Sequence, residues 1–164
     1  MYIQFKDLPA DARIWVYQSN RDLTETEKSS ALTFLTEAVE NWVTHGMPMR
    51  GSVNILFNRL VLVAADTAFQ QPSGCSIDAS TDWLQELGRQ MGVDFFDRSI
   101  GYFEGEELKS FSVFEARKHV LSGLVQPGTR IINAQVGTIA EWEDRGIIPA
   151  GSSFLNRYFP VIEA

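Results

Sequence analysis

The residues able to do chemistry fall in three short segments: His45 and Arg50, then Asp66, then Ser73, Cys75 and Asp78. Asp66 closes the apolar run Leu60–Ala65, and Ser73-Gly74-Cys75-Ser76-Ile77-Asp78 follows after a short loop. A buried strand thus runs into a Gly-containing turn, the only cysteine, and the start of a helix, where a fold can present a thiol and backbone N–H groups to a ligand. The sharp reading of these residues is a Cys75 nucleophile with His45 as its base. Against it, the negative charges of Asp66 and Asp78 oppose a thiolate beside them, and no Asn or Asp can be assigned to orient His45. A small, buried, inert cysteine between Gly74 and Ile77 is the favoured reading, since free cysteine is among the most buried residue types. Asp66 can bind a metal or a ligand hydroxyl, but as a strand-closing carboxylate it reads first as an Asx-turn acceptor. His45 is expected at a helix C-terminus, opposite the dipole. Asp78 and Ser80 are N-cap candidates, and Arg50 can hold an anion, though an arginine by a loop is usually just solvated or paired.

The elements that must position these residues follow from periodicity and caps. Ala12–Gln18 reads as a strand, being β-branched and aromatic. Thr24-Glu25-Thr26-Glu27 is a capping box, with Leu32, Leu35, Val39 and Trp42 or Val43 at helical spacing behind it. The helix is expected to run about 20 residues and stop before Gly46 and Pro48. Ser52–Phe57 and Leu60–Ala65 form a hairpin about Asn58-Arg59. A second helix starts near Asp78 or Ser80, with Ser80, Leu84, Leu87 and Met91 on one face beside Trp83. Gly92 ends it, and Gly88 weakens it by ~1 kcal/mol relative to Ala. Ser99–Phe103 and Leu108–Phe111 read as a further hairpin, Ser112–Glu115 as a capping box for a short helix, Arg130–Asn133 as a strand, and Thr138–Glu141 as a last helical turn. From Gly146 the tail is expected to be irregular, with Phe154, Leu155, Tyr158 and Phe159 packed back on the body.

The order β-α-β-β-α-β over residues 12–103 predicts an α+β fold: an antiparallel sheet with helices packed on one face, a ferredoxin-like split βαβ core with a C-terminal β-α-β extension, in a single domain of residues 1–164. In that topology the end of the first helix, the start of the second strand, the end of the third and the start of the second helix share one edge. That edge collects His45, Arg50, Asp66, Ser73, Gly74, Cys75 and Asp78, of which all but Gly74 are the predicted ligand-binding residues. The opposite edge collects Asn20, Arg21, Asn58, Arg59 and Asp94–Arg98.

Composition narrows the function classes. The chain has 164 residues, 45% of them apolar and 21% charged, enough for a core that buries roughly 70% of the unfolded surface without staples. Its net charge of −7 offers no basic surplus for nucleic acid or anionic lipid. One cysteine makes no disulfide framework or Cys-rich metal site. The N-terminus carries no signal-peptide pattern, and Leu60–Ala65 is far short of a membrane span. A cytoplasmic protein is expected, with no metal and no cofactor. P-loop, GxGxxG, HExxH, CxxC and GxSxG motifs are absent. The two histidines are His45 and His119, the latter expected on a solvated face. Trp15, Trp42, Trp83 and Phe57 fall at core spacings.

Tyr2-Ile3-Gln4-Phe5 with Leu8-Pro9, Ala12–Gln18, Trp42, His45-Gly46, Phe57-Asn58-Arg59 and Ser73–Asp78 resemble a family of short bacterial proteins of about this length. Members of that family commonly carry the label "ABC transporter ATPase". The label conflicts with the missing Walker A lysine, and no catalytic residue is carried over. The resemblance implies a complete protein rather than a fragment of an ATPase. Two function classes follow: a noncatalytic module that binds a small molecule, a protein partner or a second copy of itself, and a small enzyme using the Cys75 thiol or the Asp66 carboxylate.

Overall fold

A computed structural model describes residues 1–160. The elements in chain order are β1 (Arg13–Gln18), α1 (Glu25–Glu40), β2 (Val43–Thr44), β3 (Met47–Pro48), β4 (Gly51–Leu56), β5 (Leu60–Ala65), α2 (Gly74–Met91), β6 (Ile100–Glu104), β7 (Glu107–Phe111), α3 (Ala116–Leu121), β8 (Arg130–Ile132), α4 (Ile139–Arg145) and β9 (Ile147–Pro149). The fold is α+β. Where the sequence reads as one domain, the chain divides into two compact units, Met1–Asp97 with Gln135–Glu143, and Arg98–Ala134 with Asp144–Ala164.

The first unit is built on the antiparallel sheet β1-β5-β4, with Trp15 opposite Val63 and Val53 opposite the same residue. This is the strand order expected for the first three strands of a split βαβ core. The fourth strand of that expectation, Ile100–Glu104, lies instead in a second sheet, so the ferredoxin-like assignment extends no further than β-α-β-β-α. Strand β5 is buried at all six positions, as its unbroken apolar run requires. Val53, Val61, Val63 and Ala65 share a core with Ala31, Leu35 and Val39 of α1 and Leu84 and Leu87 of α2. Each fully buried Leu or Val there contributes about 1.5–3 kcal/mol.

Helix α1 starts at the expected capping box: Thr24 Oγ1 accepts from Glu27 N (3.1 Å), and Glu27 Oε1 accepts from Thr24 N (3.0 Å). It ends at Glu40, earlier than expected, because the Asn41 side-chain amide caps the Glu37 carbonyl (2.9 Å) and Trp42 turns inward. Its buried stripe is Ala31, Leu35 and Val39; Leu32, expected in that stripe, is 38% exposed. The segment expected to finish the helix is the β2–β3 ribbon, turned by His45 (φ 50°) and Gly46 (φ 77°). Both residues are left-handed, as a two-residue hairpin turn requires. Between β4 and β5 the tight turn is Phe57-Asn58 (φ 55° and 61°), one residue earlier than predicted, with Arg59 N donating to the Leu56 carbonyl (3.1 Å). Phe57 is therefore a turn residue rather than a core residue.

The second unit holds the sheet β7-β6-β8-β9. Strand β9, expected as irregular tail, pairs antiparallel with β8, Ile131 opposite Ile148. Ile100, Tyr102, Phe111, Ala116, Val120, Val125, Ile131, Ala150 and Leu155 form its core, with Tyr158 and Phe159 against it. Phe154, expected to pack, is 47% exposed. His119 is not on a solvated face: its ring lies 4.8 Å from that of Phe111, and Nε2 meets Glu115 Oε2 at 3.3 Å.

Candidate functional site

Local structure decides what each predicted residue can do at this edge. The Arg50 carbonyl, just before β4, accepts from Asp66 N (2.8 Å), just after β5. Asp66 Oδ1 in turn accepts from Ala68 N (3.1 Å) and Phe69 N (3.3 Å), the Asx-turn of the bland reading. That turn sets Phe69, 46% exposed, against the Arg50 guanidinium, whose Cζ is 5.1 Å from the ring centroid. Arg50 and Asp66 form no ion pair with each other. Among the described residues two buried polar side-chain atoms have no hydrogen-bond partner, Arg50 Nε and Ser52 Oγ.

Beside this lies a chain of hydroxyls at the start of α2. Thr44 Oγ1 meets Ser73 Oγ at 2.8 Å; Ser73 Oγ accepts from Ser76 N (3.2 Å), and Ser76 Oγ accepts from Ser73 N (2.7 Å). Trp42 Nε1 donates to the Ser76 carbonyl (2.9 Å). Ser73 is thus the N-cap and the helix begins at Gly74, which overturns Asp78 and Ser80 as caps. Ser80 is buried, its Oγ donating to the Ile77 carbonyl (2.7 Å). The buried face of α2 carries Ser76, Ser80, Leu84 and Leu87, which turns Cys75 and Asp78 to solvent. Cys75 is exposed, not the buried residue favoured from sequence.

His45 is exposed at the tip of the β2–β3 ribbon rather than at a helix end. Among the described residues no hydrogen bond involves the Cys75 thiol or the His45 ring, so a nucleophile–base pair is not assembled. The edge therefore brings Arg50 to the Asp66 turn and Thr44 to Ser73. Thr44 and Trp42, which tie the ribbon to α2, were missed by sequence reasoning. Their signal was the two-residue His45-Gly46 turn between Val43-Thr44 and Met47-Pro48.

The opposite edge is a structural latch. Arg59 is buried, donating from Nε and Nη2 to the Ser19 carbonyl (3.3 and 3.2 Å), while the Asn20 side chain and amide pair with the Asp94 backbone (3.0 and 2.9 Å). Such bonds from a buried cation to a backbone carbonyl fix the loop that carries it.

Among the described residues no three His, Cys, Asp or Glu side chains converge as metal ligands, and no helix is long and apolar enough to cross a membrane. Comparison with family models, with curated proteins and with solved structures finds no match to this chain.

Proposed function

We propose that this chain is a noncatalytic binding module of the cytoplasm, and that its ligand face is the Arg50–Phe69 edge, where it takes an anionic group. The observation that carries the reading is the Arg50 guanidinium: its Nε is buried with no hydrogen-bond partner among the described residues, and its face lies over an exposed ring. A buried donor left unmade costs about 1–3 kcal/mol, more when charged, and a carboxylate or phosphate arriving at Arg50 recovers it with a charge-assisted bond. The exposed Phe69 offers the apolar remainder of such a ligand a surface. The reading accords with the resemblance to short bacterial proteins, and ATP hydrolysis forms no part of it because no P-loop is present. The enzyme alternative, Cys75 thiol or Asp66 carboxylate chemistry, gains from the exposure of Cys75. It loses from the lack of a base on that thiol and from the engagement of Asp66 Oδ1 by two amides.

The test is titration of the ¹⁵N-labelled protein with inorganic phosphate and with acetate, reading the Arg50 Nε–Hε resonance and the melting temperature. The expected result is a saturable shift of that resonance and a rise in Tm, both missing in Arg50→Gln when its own Tm shows it folded. An unmoved resonance, or an equal rise in Tm for Arg50→Gln, overturns the proposal.

A further inference from the structure

Two surfaces, one in each unit, are complementary in charge and each carries exposed apolar side chains. In the second unit, the 3₁₀ turn Val113–Glu115 runs directly into α3. Ala116 and Val120 face its core at 0% and 6% exposure. Phe114, Arg117, Lys118 and Leu121, at i, i+3, i+4 and i+7, share the opposite face. Phe114 is 99% exposed and Leu121 63%, with Leu124 at 43% just beyond. A wholly exposed aromatic beside exposed leucines is what a contact surface shows, not what a solvated helix face needs. Arg117 and Lys118 form no salt bridge within the described chain, whereas Arg21, Lys28, Arg89 and Lys109 each pair with a glutamate. These two cations sit next to each other on an exposed face of a chain with net charge −7.

The first unit carries the counterpart. An open groove of about 530 Å³ runs along α1, lined by Tyr2, Leu32, Thr33, Thr36, Glu37 and Glu40. Leu32 gives it an apolar floor at 38% exposure. Glu37 and Glu40 rim it; Glu40 Oε2 holds the Tyr2 amide (2.8 Å), while Glu37 forms no salt bridge within the described chain.

We infer that the Phe114 face of one copy docks in the α1 groove of a second copy of this chain. The Phe114 ring and Leu121 cover Leu32 and Tyr2, and Arg117 and Lys118 meet Glu37 and Glu40. An aromatic anchor flanked by basic residues, received by an apolar floor with an acidic rim, is the composition of an interface hot spot. The contact joins two different patches, so it is heterologous. An anionic membrane is a poorer occupant: two cations gain about 1 kcal/mol each near such a surface, against the repulsion of a chain with net charge −7.

The experiment is sedimentation velocity on the full chain from about 1 to about 300 μM, at low and high salt. The wild type is expected to sediment faster as concentration rises, less so in high salt. Phe114→Ser is expected to weaken association at least about tenfold with Tm unchanged, since Phe114 touches no core. Arg117→Glu/Lys118→Glu and Glu37→Arg are each expected to be monomeric alone and to associate when mixed, because the reversed charges match each other. Folding damage cannot produce that rescue. A wild type monomeric throughout, a Phe114→Ser that associates like wild type, or a mixture that stays monomeric overturns the inference. So does a Phe114 dependence seen only on phosphatidylglycerol vesicles, which assigns the face to a membrane. Phosphate binding at Arg50 is read separately, so either conclusion can fail alone.

Discussion

Replacing Gly88 with alanine separates a local rule from a tertiary one. Gly88 lies three residues before Met91, the last residue of the C-capped helix α2, where exchange to alanine ordinarily gains about 1 kcal/mol of helix propensity. A Cβ built there meets the Val93 carbonyl oxygen at 2.4 Å and Phe95 Cδ2 at 3.5 Å. Backbone must therefore move by about 0.6 Å merely to reach 3.0 Å, below which real Cβ contacts essentially never fall. The moving segment is anchored: Val93 N donates to the Gly88 carbonyl (3.0 Å), and Phe95 is fully buried in the core of the first unit. Overpacking of this kind costs about 1–3 kcal/mol, and a weakened backbone bond about 1 more. Subtracting the propensity gain leaves a loss of about 2 kcal/mol, a fall in Tm of about 4–8 °C for a chain of this size. Urea unfolding at 25 °C followed by tryptophan fluorescence reads it, because Trp15, Trp42 and Trp83 all pack on that core. Gly74→Ala, whose Cβ meets nothing within 4 Å, is the matched control and is expected to be neutral or slightly stabilising. A Gly88→Ala protein as stable as wild type, or more so, refutes the close-approach reasoning.

The remaining predictions concern charge and the thiol. The hydrogen bonds from Arg21 and from the Thr24 amide hold the Glu27 carboxyl down from 4.5 to about 2. A carboxylate with a depressed folded pKa stabilises above its unfolded value and loses that contribution as pH falls through the folded one. Denaturation at several pH values is therefore expected to show Glu27→Gln less stable than wild type above about pH 4.5, with the gap closing by about pH 2; a gap independent of pH refutes the assignment. Cys75, exposed on the first turn of α2, is expected to alkylate in the native protein within several-fold of its rate in denaturant; protection until unfolding sinks that placement.

How far sequence reached can be seen element by element. The capping box at Thr24, the apolar run of β5 and the β-branched and aromatic run of β1 are written in neighbouring residues, and each element appears where its residues put it. The meeting of Arg50 and Asp66 also followed, because antiparallel pairing of β4 and β5 fixes which strand ends meet. Features set by a distant partner did not follow. The start of α2 fell to Ser73 rather than Asp78 through its capping box with Ser76, and Thr44, 29 residues away, donates to the same Ser73 hydroxyl. Strand β9 is three residues long and exists through its pairing with β8. His45 was read as a helix C-terminus because Gly46 and Pro48 were the nearest stop signals, and only the cap at Asn41 and the left-handed turn exclude it.

Composition, periodicity and caps were enough to specify the α+β class, the order β1, α1, β4, β5, α2 of the longer elements of the first unit and a −7 chain without a P-loop, since each depends on the identity of a residue and its near neighbours. The sheet that receives Ile100–Glu104, the exposure of Cys75 and Phe114, and the unsatisfied Nε of Arg50 depend on the packing of segments far apart in the chain. The free energy of a strand edge, a helix face or a buried donor is set by whatever covers it, and many coverings are compatible with one local pattern.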